Sequence, residues 1–82
     1  MYEQKYILFK DKNGIETYLI FNKAVEHSTF EKLQVTSAGF IYLNHTDDKW
    51  TASCHGESVS LGKRSRPNED ARIIEAQMNM HL

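Results

Sequence analysis

The sequence predicts an α+β fold, an antiparallel β-sheet of about four to five strands built as two hairpins and packed by a C-terminal α-helix. Three observations carry this. Tyr6-Ile7-Leu8-Phe9 and Tyr18-Leu19-Ile20-Phe21 are aromatic and β-branched runs on either side of Asp11-Lys12-Asn13-Gly14, and Asn-Gly between two such runs is the strongest short hairpin signal. Trp50 to His55 alternates apolar and polar residues after the apolar run Phe40-Ile41-Tyr42-Leu43, which reads as a second strand pair. The last segment opens with Ser65-Arg66-Pro67-Asn68-Glu69-Asp70, a helix start with Pro and acids in the first turn.

In the first hairpin two registers compete. A two-residue Asn13-Gly14 turn pairs Lys12 with Ile15. A three-residue turn with a Gly bulge pairs Asp11 with Ile15 and sets Lys10 opposite Glu16. The second is preferred, because Asp at the turn start and a Lys–Glu cross-strand pair both fit it. A one-residue slip would exchange the faces of the strands. Both strands are apolar on both faces, whereas a sheet with one wet face alternates cleanly. The hairpin is therefore expected to be covered twice, by a helix on one side and on the other by a further element or a partner subunit.

Residues 22–37 are less regular. Ser28-Thr29-Phe30-Glu31 has the form of a capping box, so a short helical turn over 28–33 is expected, with a strand able to begin at Gln34. Asn44 to Lys49 is a polar turn. In the following strand Trp50, Ala52 and Cys54 share one side and Thr51, Ser53 and His55 the other. Gly56 marks a bend, after which Ser58-Val59-Ser60-Leu61 resumes the alternation. In the helix Ala71, Ile74, Met78 and Leu82 form one stripe, widened by Ile73 and Met80, while Arg72, Glu75 and Asn79 face away. The reading is of a single domain over residues 1–82, with no repeat or linker.

The chain has 82 residues, and at this size a core often supplies only about 3–5 kcal/mol. Small size favours binding or assembly over stand-alone catalysis, and it favours a homodimer formed through an apolar sheet face or an edge strand. The formal net charge is −1, against the strongly basic balance of a dedicated nucleic-acid binder. A single cysteine, Cys54, excludes a disulfide framework and a cysteine-based zinc site. The amino terminus shows no signal-peptide pattern. The longest apolar runs are four residues, against the ~20 needed to span a bilayer. The expectation is a cytoplasmic protein with no membrane segment.

Among candidate sites the basic segment Gly62, Lys63, Arg64, Ser65 and Arg66 is the most informative. Three cations precede a helix start, where free N–H groups accept anions. The competing reading is a solvated turn whose arginines pair with Glu57, Glu69 or Asp70. A P-loop is ruled out: five residues separate Gly56 from Gly62 where the motif needs four, and Arg64 stands where Ser or Thr is required. Cys54 and His55 point to opposite faces of a strand and make no nucleophile–base pair. His27, His45, His55 and His81 lack metal-ligand spacing, and Asp47-Asp48 reads as a turn former. Tyr2, Tyr6, Tyr18, Phe40, Tyr42 and Trp50 are core aromatics at strand spacing, with base stacking as the alternative use. These readings add up to a non-enzymatic binding or assembly domain without cofactor or metal, contacting an anionic ligand or partner through residues 62–66. The alternative is a nucleic-acid-binding domain using the same segment with sheet aromatics.

Overall fold

The computed structural model describes residues 2–80; the His81 and Leu82 positions used above lie outside them. In chain order the elements are β1 (Gln4–Lys10), β2 (Glu16–Phe21), a 3-10 turn (His27–Phe30), β3 (Gln34–Thr46), β4 (Lys49–His55), β5 (Glu57–Ser58), β6 (Lys63–Arg64) and α1 (Pro67–Asn79). The first four strands form one antiparallel sheet in the order β2-β1-β3-β4, and β5 pairs with β6 as a separate ribbon. The α+β architecture is the expected one.

The first hairpin adopts the three-residue register, with Lys10 opposite Glu16. Asp11 organises the turn. Its carboxylate accepts the N–H groups of Asn13 at 2.8 Å and Ile15 at 3.0 Å, and its backbone N–H donates to the Ile15 carbonyl at 2.9 Å. Gly14 takes φ of 77°, which costs a glycine nothing. The second hairpin turns on Asp47 and Asp48, with φ of 53° and 62°, the left-handed pair that a tight hairpin requires. Asp47-Asp48 is thus a turn former.

The 13-residue strand β3 serves two neighbours. Its first half pairs with β1 and its second half with β4. Between Leu8 and Phe9 the β1–β3 register slips, so Thr36 is an extra residue in β3, and a bulge of this kind bends its strand. At Gly39 an added Cβ would run into the His55 carbonyl oxygen and lie 3.2 Å from Ser65 Cβ, so the chain crosses closely here over a residue with no side chain.

One face of the sheet packs on α1. Tyr6, Leu8, Ile41, Cys54 and Ile74 form its buried centre, with Tyr18, Ile20, Leu43 and Met78 packed around them. The other face is covered by the chain itself. The β2–β3 connection has to pass beneath β1 to place β3 on the far side of it. In doing so it lays His27 and Phe30 against Phe21, with ring centroids 5.5 and 4.7 Å away, and His27 against Phe40 at 5.9 Å. Lys5 fixes this segment by donating to the Val25 carbonyl at 2.9 Å. The double cover expected of the hairpin is present, and this part of it is intramolecular.

Local expectations are corrected at four places. The 28–31 capping box does not form: the 3-10 turn begins at His27 and has no side-chain cap, being too short to need one. Residues 59–62 make a turn rather than continuing a strand, and Val59 is exposed. Met80 is exposed rather than part of the apolar stripe. Glu75 and Asn79 do not face away; both are partly buried and bond to the backbone of β4.

Candidate functional site

The five residues 62–66 are held by the β5–β6 ribbon and by the entry to α1, and they are sent in different directions. Gly62 sits in the ribbon's turn at φ of 65°. Lys63 and Arg64 are consecutive strand residues, both exposed, and consecutive strand residues point to opposite faces. Arg64 lines a shallow hollow of about 340 Å³ together with Gly56, Glu57, Ser65 and Pro67. Ser65 is buried and is not the helix cap; the cap position is Arg66, with no side-chain cap bond.

Arg66 turns inward and anchors a polar network inside the apolar core. Its Nη2 donates to Glu16 Oε2 at 2.6 Å and to Ser37 Oγ at 3.2 Å, and its Nε donates to Asp70 Oδ1 at 2.9 Å. Glu69 completes its surroundings at 3.5 Å. Asp70 is fully buried. Besides the guanidinium it accepts the Arg66 backbone N–H at 3.0 Å and the Tyr6 hydroxyl at 2.5 Å. With the Tyr6 proton committed to Asp70, the hydroxyl of Ser65, 2.6 Å away, donates to the Tyr6 oxygen. Burial first, and the neighbouring Asp70 second, push the Tyr6 hydroxyl far above the ordinary phenol range. Glu16 raises the Arg66 guanidinium, and Arg66 in turn lowers the Glu16 carboxyl. The arrangement locks α1 to β1, β2 and β3. It consumes the charge of Arg66, leaving Lys63 and Arg64 as the cations of this segment that make no ion pair among the described residues.

The helix also treats the two outer strands of the sheet differently. In β4 the residues whose N–H and C=O groups point away from β3 include Trp50 and Ala52. Asn79 accepts the Trp50 N–H at 2.9 Å and donates to its C=O at 3.0 Å, and Glu75 accepts the Ala52 N–H at 2.7 Å. Side chains of the helix thereby stand in for a missing strand. In β2 the outward residues are Glu16, Tyr18 and Ile20. Only the Glu16 carbonyl is taken, by Gln77 Nε2 at 2.6 Å. The outward backbone groups of Tyr18 and Ile20 have no partner among the described residues. A groove of about 520 Å³, walled by Ile15, Tyr18, Gln77 and Met80, runs beside this edge.

The remaining candidates fall in place as follows. Cys54 is buried on the helix face and His55 lies on the opposite face. Burial pushes the Cys54 thiol up to about 11, which suppresses the reactive thiolate. His55 Nε2 lies 2.6 Å from Glu3, whose carboxyl is lowered by Lys23 and by His55, and its ring stacks on Tyr42 at 5.5 Å. His27 is buried against the Gly39 carbonyl at 3.1 Å, and burial lowers its pKa. Among the described residues no group of His, Cys, Asp and Glu converges as metal ligands. Among them also, no helix is long and apolar enough to cross a membrane. Of the aromatics considered for base stacking, Tyr6 is buried, Tyr18, Phe40 and Trp50 are half-buried, and Tyr2 and Tyr42 are exposed.

Comparison of the chain with protein-family models, with curated proteins and with solved structures finds no match. The class defined by fold and site is therefore structural: a small α+β domain whose sheet has one edge closed by its own helix and one edge bare. Sequence reasoning named an edge strand as one of two dimer surfaces without identifying β2, because hydrophobic patterning reports which face a side chain takes and says nothing about the outward backbone. The available signal was β2 itself, which holds no Pro, Lys or Gly and only one charge.

Proposed function

We propose that this domain is a binding and assembly module that engages its partner by main-chain pairing along the open edge of β2. The observation that supports this reading is the contrast between the two outer strands. Exposed edges invite pairing, and proteins that avoid it shorten, charge or cover them. Here the helix covers β4, while β2 presents the free groups of Tyr18 and Ile20 beside exposed Leu19 and Ile15. Strand addition draws affinity from backbone hydrogen bonds and specificity from neighbouring pockets, and the groove at Ile15, Tyr18 and Met80 is such a neighbour. The test is a photo-crosslinking residue placed at position 19, compared with one at the more exposed Val59 turn, in the expressing cell. Discrete adducts from position 19 and none from position 59 are expected. Equal labelling, or none at position 19, refutes the reading.

A second reading is supported by the exposure of Lys63 and Arg64 without ion-pair partners: an anion contact on the β5–β6 ribbon, with nucleic acid as its polymeric form. An amide NMR titration with phosphate and a short oligonucleotide tests it. Shifts confined to residues 62–66 that vanish with salt support it, and their absence removes it.

A further inference from the structure

Resting on the edge reading above, we infer that the strand received by β2 is β2 of a second copy of this chain, paired antiparallel about a two-fold axis at Leu19. The open stretch of the edge is short and bounded. At one end the Glu16 carbonyl is occupied by Gln77. At the other the Asn22 carbonyl accepts the Val25 N–H at 2.9 Å, and the Asn22 side chain accepts the Ala24 N–H. Between these stops only Tyr18 and Ile20 present outward groups, and they are placed symmetrically about Leu19. An antiparallel strand centred on Leu19 sets Tyr18 of one copy opposite Ile20 of the other, and the reverse. Each such pair exchanges both of its N–H···O=C bonds. Between these two stops the free donors of one copy then equal the free acceptors of the other. An isologous contact must be self-complementary in this way.

Charge permits the same pairing. The one acid of the strand, Glu16, is neutralised by Arg66 within its own chain. The turn before β2 carries Asp11 beside Lys12, and the connection after it carries Lys23 and Glu26. These are the ends that approach each other under the two-fold axis, and each is mixed in sign. Leu19, 37% exposed on the face away from α1, meets itself at the axis as a non-hydrogen-bonded pair, the type in which side chains lie closest. The product is a continuous eight-stranded sheet with both helices on one side, and it removes the remaining edges of both copies.

The test combines mass measurement with a covalent trap. Wild-type protein followed by light scattering over a concentration series is expected to move from 9.5 kDa toward twice that mass. Leu19→Cys, in a Cys54→Ser background, is expected to form an intermolecular disulfide under mild oxidation, since Cα atoms of such a cross-strand pair are about 4.5 Å apart. Leu19→Lys, at a position outside the core cluster packed on α1, is expected to weaken association at least tenfold. A wild-type protein that stays at 9.5 kDa at millimolar concentration, with no Leu19→Cys dimer, overturns the self-pairing; position-19 adducts of another mass would then leave the edge reading standing with a different partner. A dimer that neither forms the position-19 disulfide nor responds to Leu19→Lys lies on another surface and overturns the self-pairing, while the crosslinking at position 19 decides the edge reading separately.

Discussion

Along β4 the helix answers three outward backbone groups, with Asn79 on the N–H and C=O of Trp50 and Glu75 on the N–H of Ala52. Along β2 it answers a single carbonyl, through Gln77, and leaves Tyr18 and Ile20 bare. The same helix makes both sets of bonds, so the difference does not come from reach alone. It comes from which polar residues the helix carries on its two flanks. The lesson is that a helix packed on a sheet has two jobs: its apolar stripe fills the core, and its flanks decide whether the sheet ends there or stays open to another strand.

The strongest way to break the contrast is to unmoor the helix. Asp70→Ala leaves Arg66 and Tyr6 without their buried partner, and loss of one member of a buried charged pair costs about 3–5 kcal/mol. In a domain this small most molecules should lose cooperative folding, seen as a collapsed urea midpoint by circular dichroism. Tyr6→Phe, which keeps the ring and removes one bond, should cost only about 1–3 kcal/mol.

Opening the closed edge is the next largest effect. Asn79→Ala removes two hydrogen bonds to Trp50 and should cost about 1–3 kcal/mol. It should also bare the Trp50 end of β4, with Glu75 still on Ala52, so that light scattering finds species larger than the wild-type assembly. If Asn79→Ala lowers stability and leaves association unchanged, its amide stabilises the helix end and does not guard the strand.

The smallest effect is that of acid. Burial favours neutral His27 in the folded state. Its contribution is therefore present above the ordinary histidine value of about 6.5 and is lost as pH falls below it. Glu16, lowered by Arg66, contributes stability present above about pH 4.3 and lost as pH falls through its lower folded value. Both losses run in the same direction, and the Glu16 step should be about 0.5–1 kcal/mol because the pair is partly solvated. Urea midpoints measured from pH 8 to pH 3 should fall in two stages, the later one smaller in Glu16→Gln and carried there by Glu3, whose carboxyl is lowered by Lys23 and His55.

Much of this fold could be read from the chain alone, for local reasons. Asp11 and Gly14 dictate the first turn, strict alternation dictates β4, and Pro67 with its acids opens α1. The register with Lys10 opposite Glu16 was legible too, although its cause was misassigned, since the Glu16 carboxylate turns to Arg66. What could not be read depends on distant parts of the chain. Arg66 looks like a ligand-facing cation until Glu16, fifty positions away, is brought to it. Glu75 and Asn79 look like solvent-facing helix residues until β4 lies alongside. Single-chain patterning separates wet from dry faces, and each of these polar residues is partly buried for a hydrogen-bonding partner that patterning does not register.

The bond from Tyr6 to Asp70 spans 64 positions, and the residues that close β4 lie beyond that strand in the chain. Closing β4 is therefore the work of residues that reach it only when α1 docks. A molecule in which β1 to β4 are paired and α1 is undocked has two bare outer strands where the folded chain has one. Whatever loosens the helix thus doubles the number of places where this sheet can be joined to another.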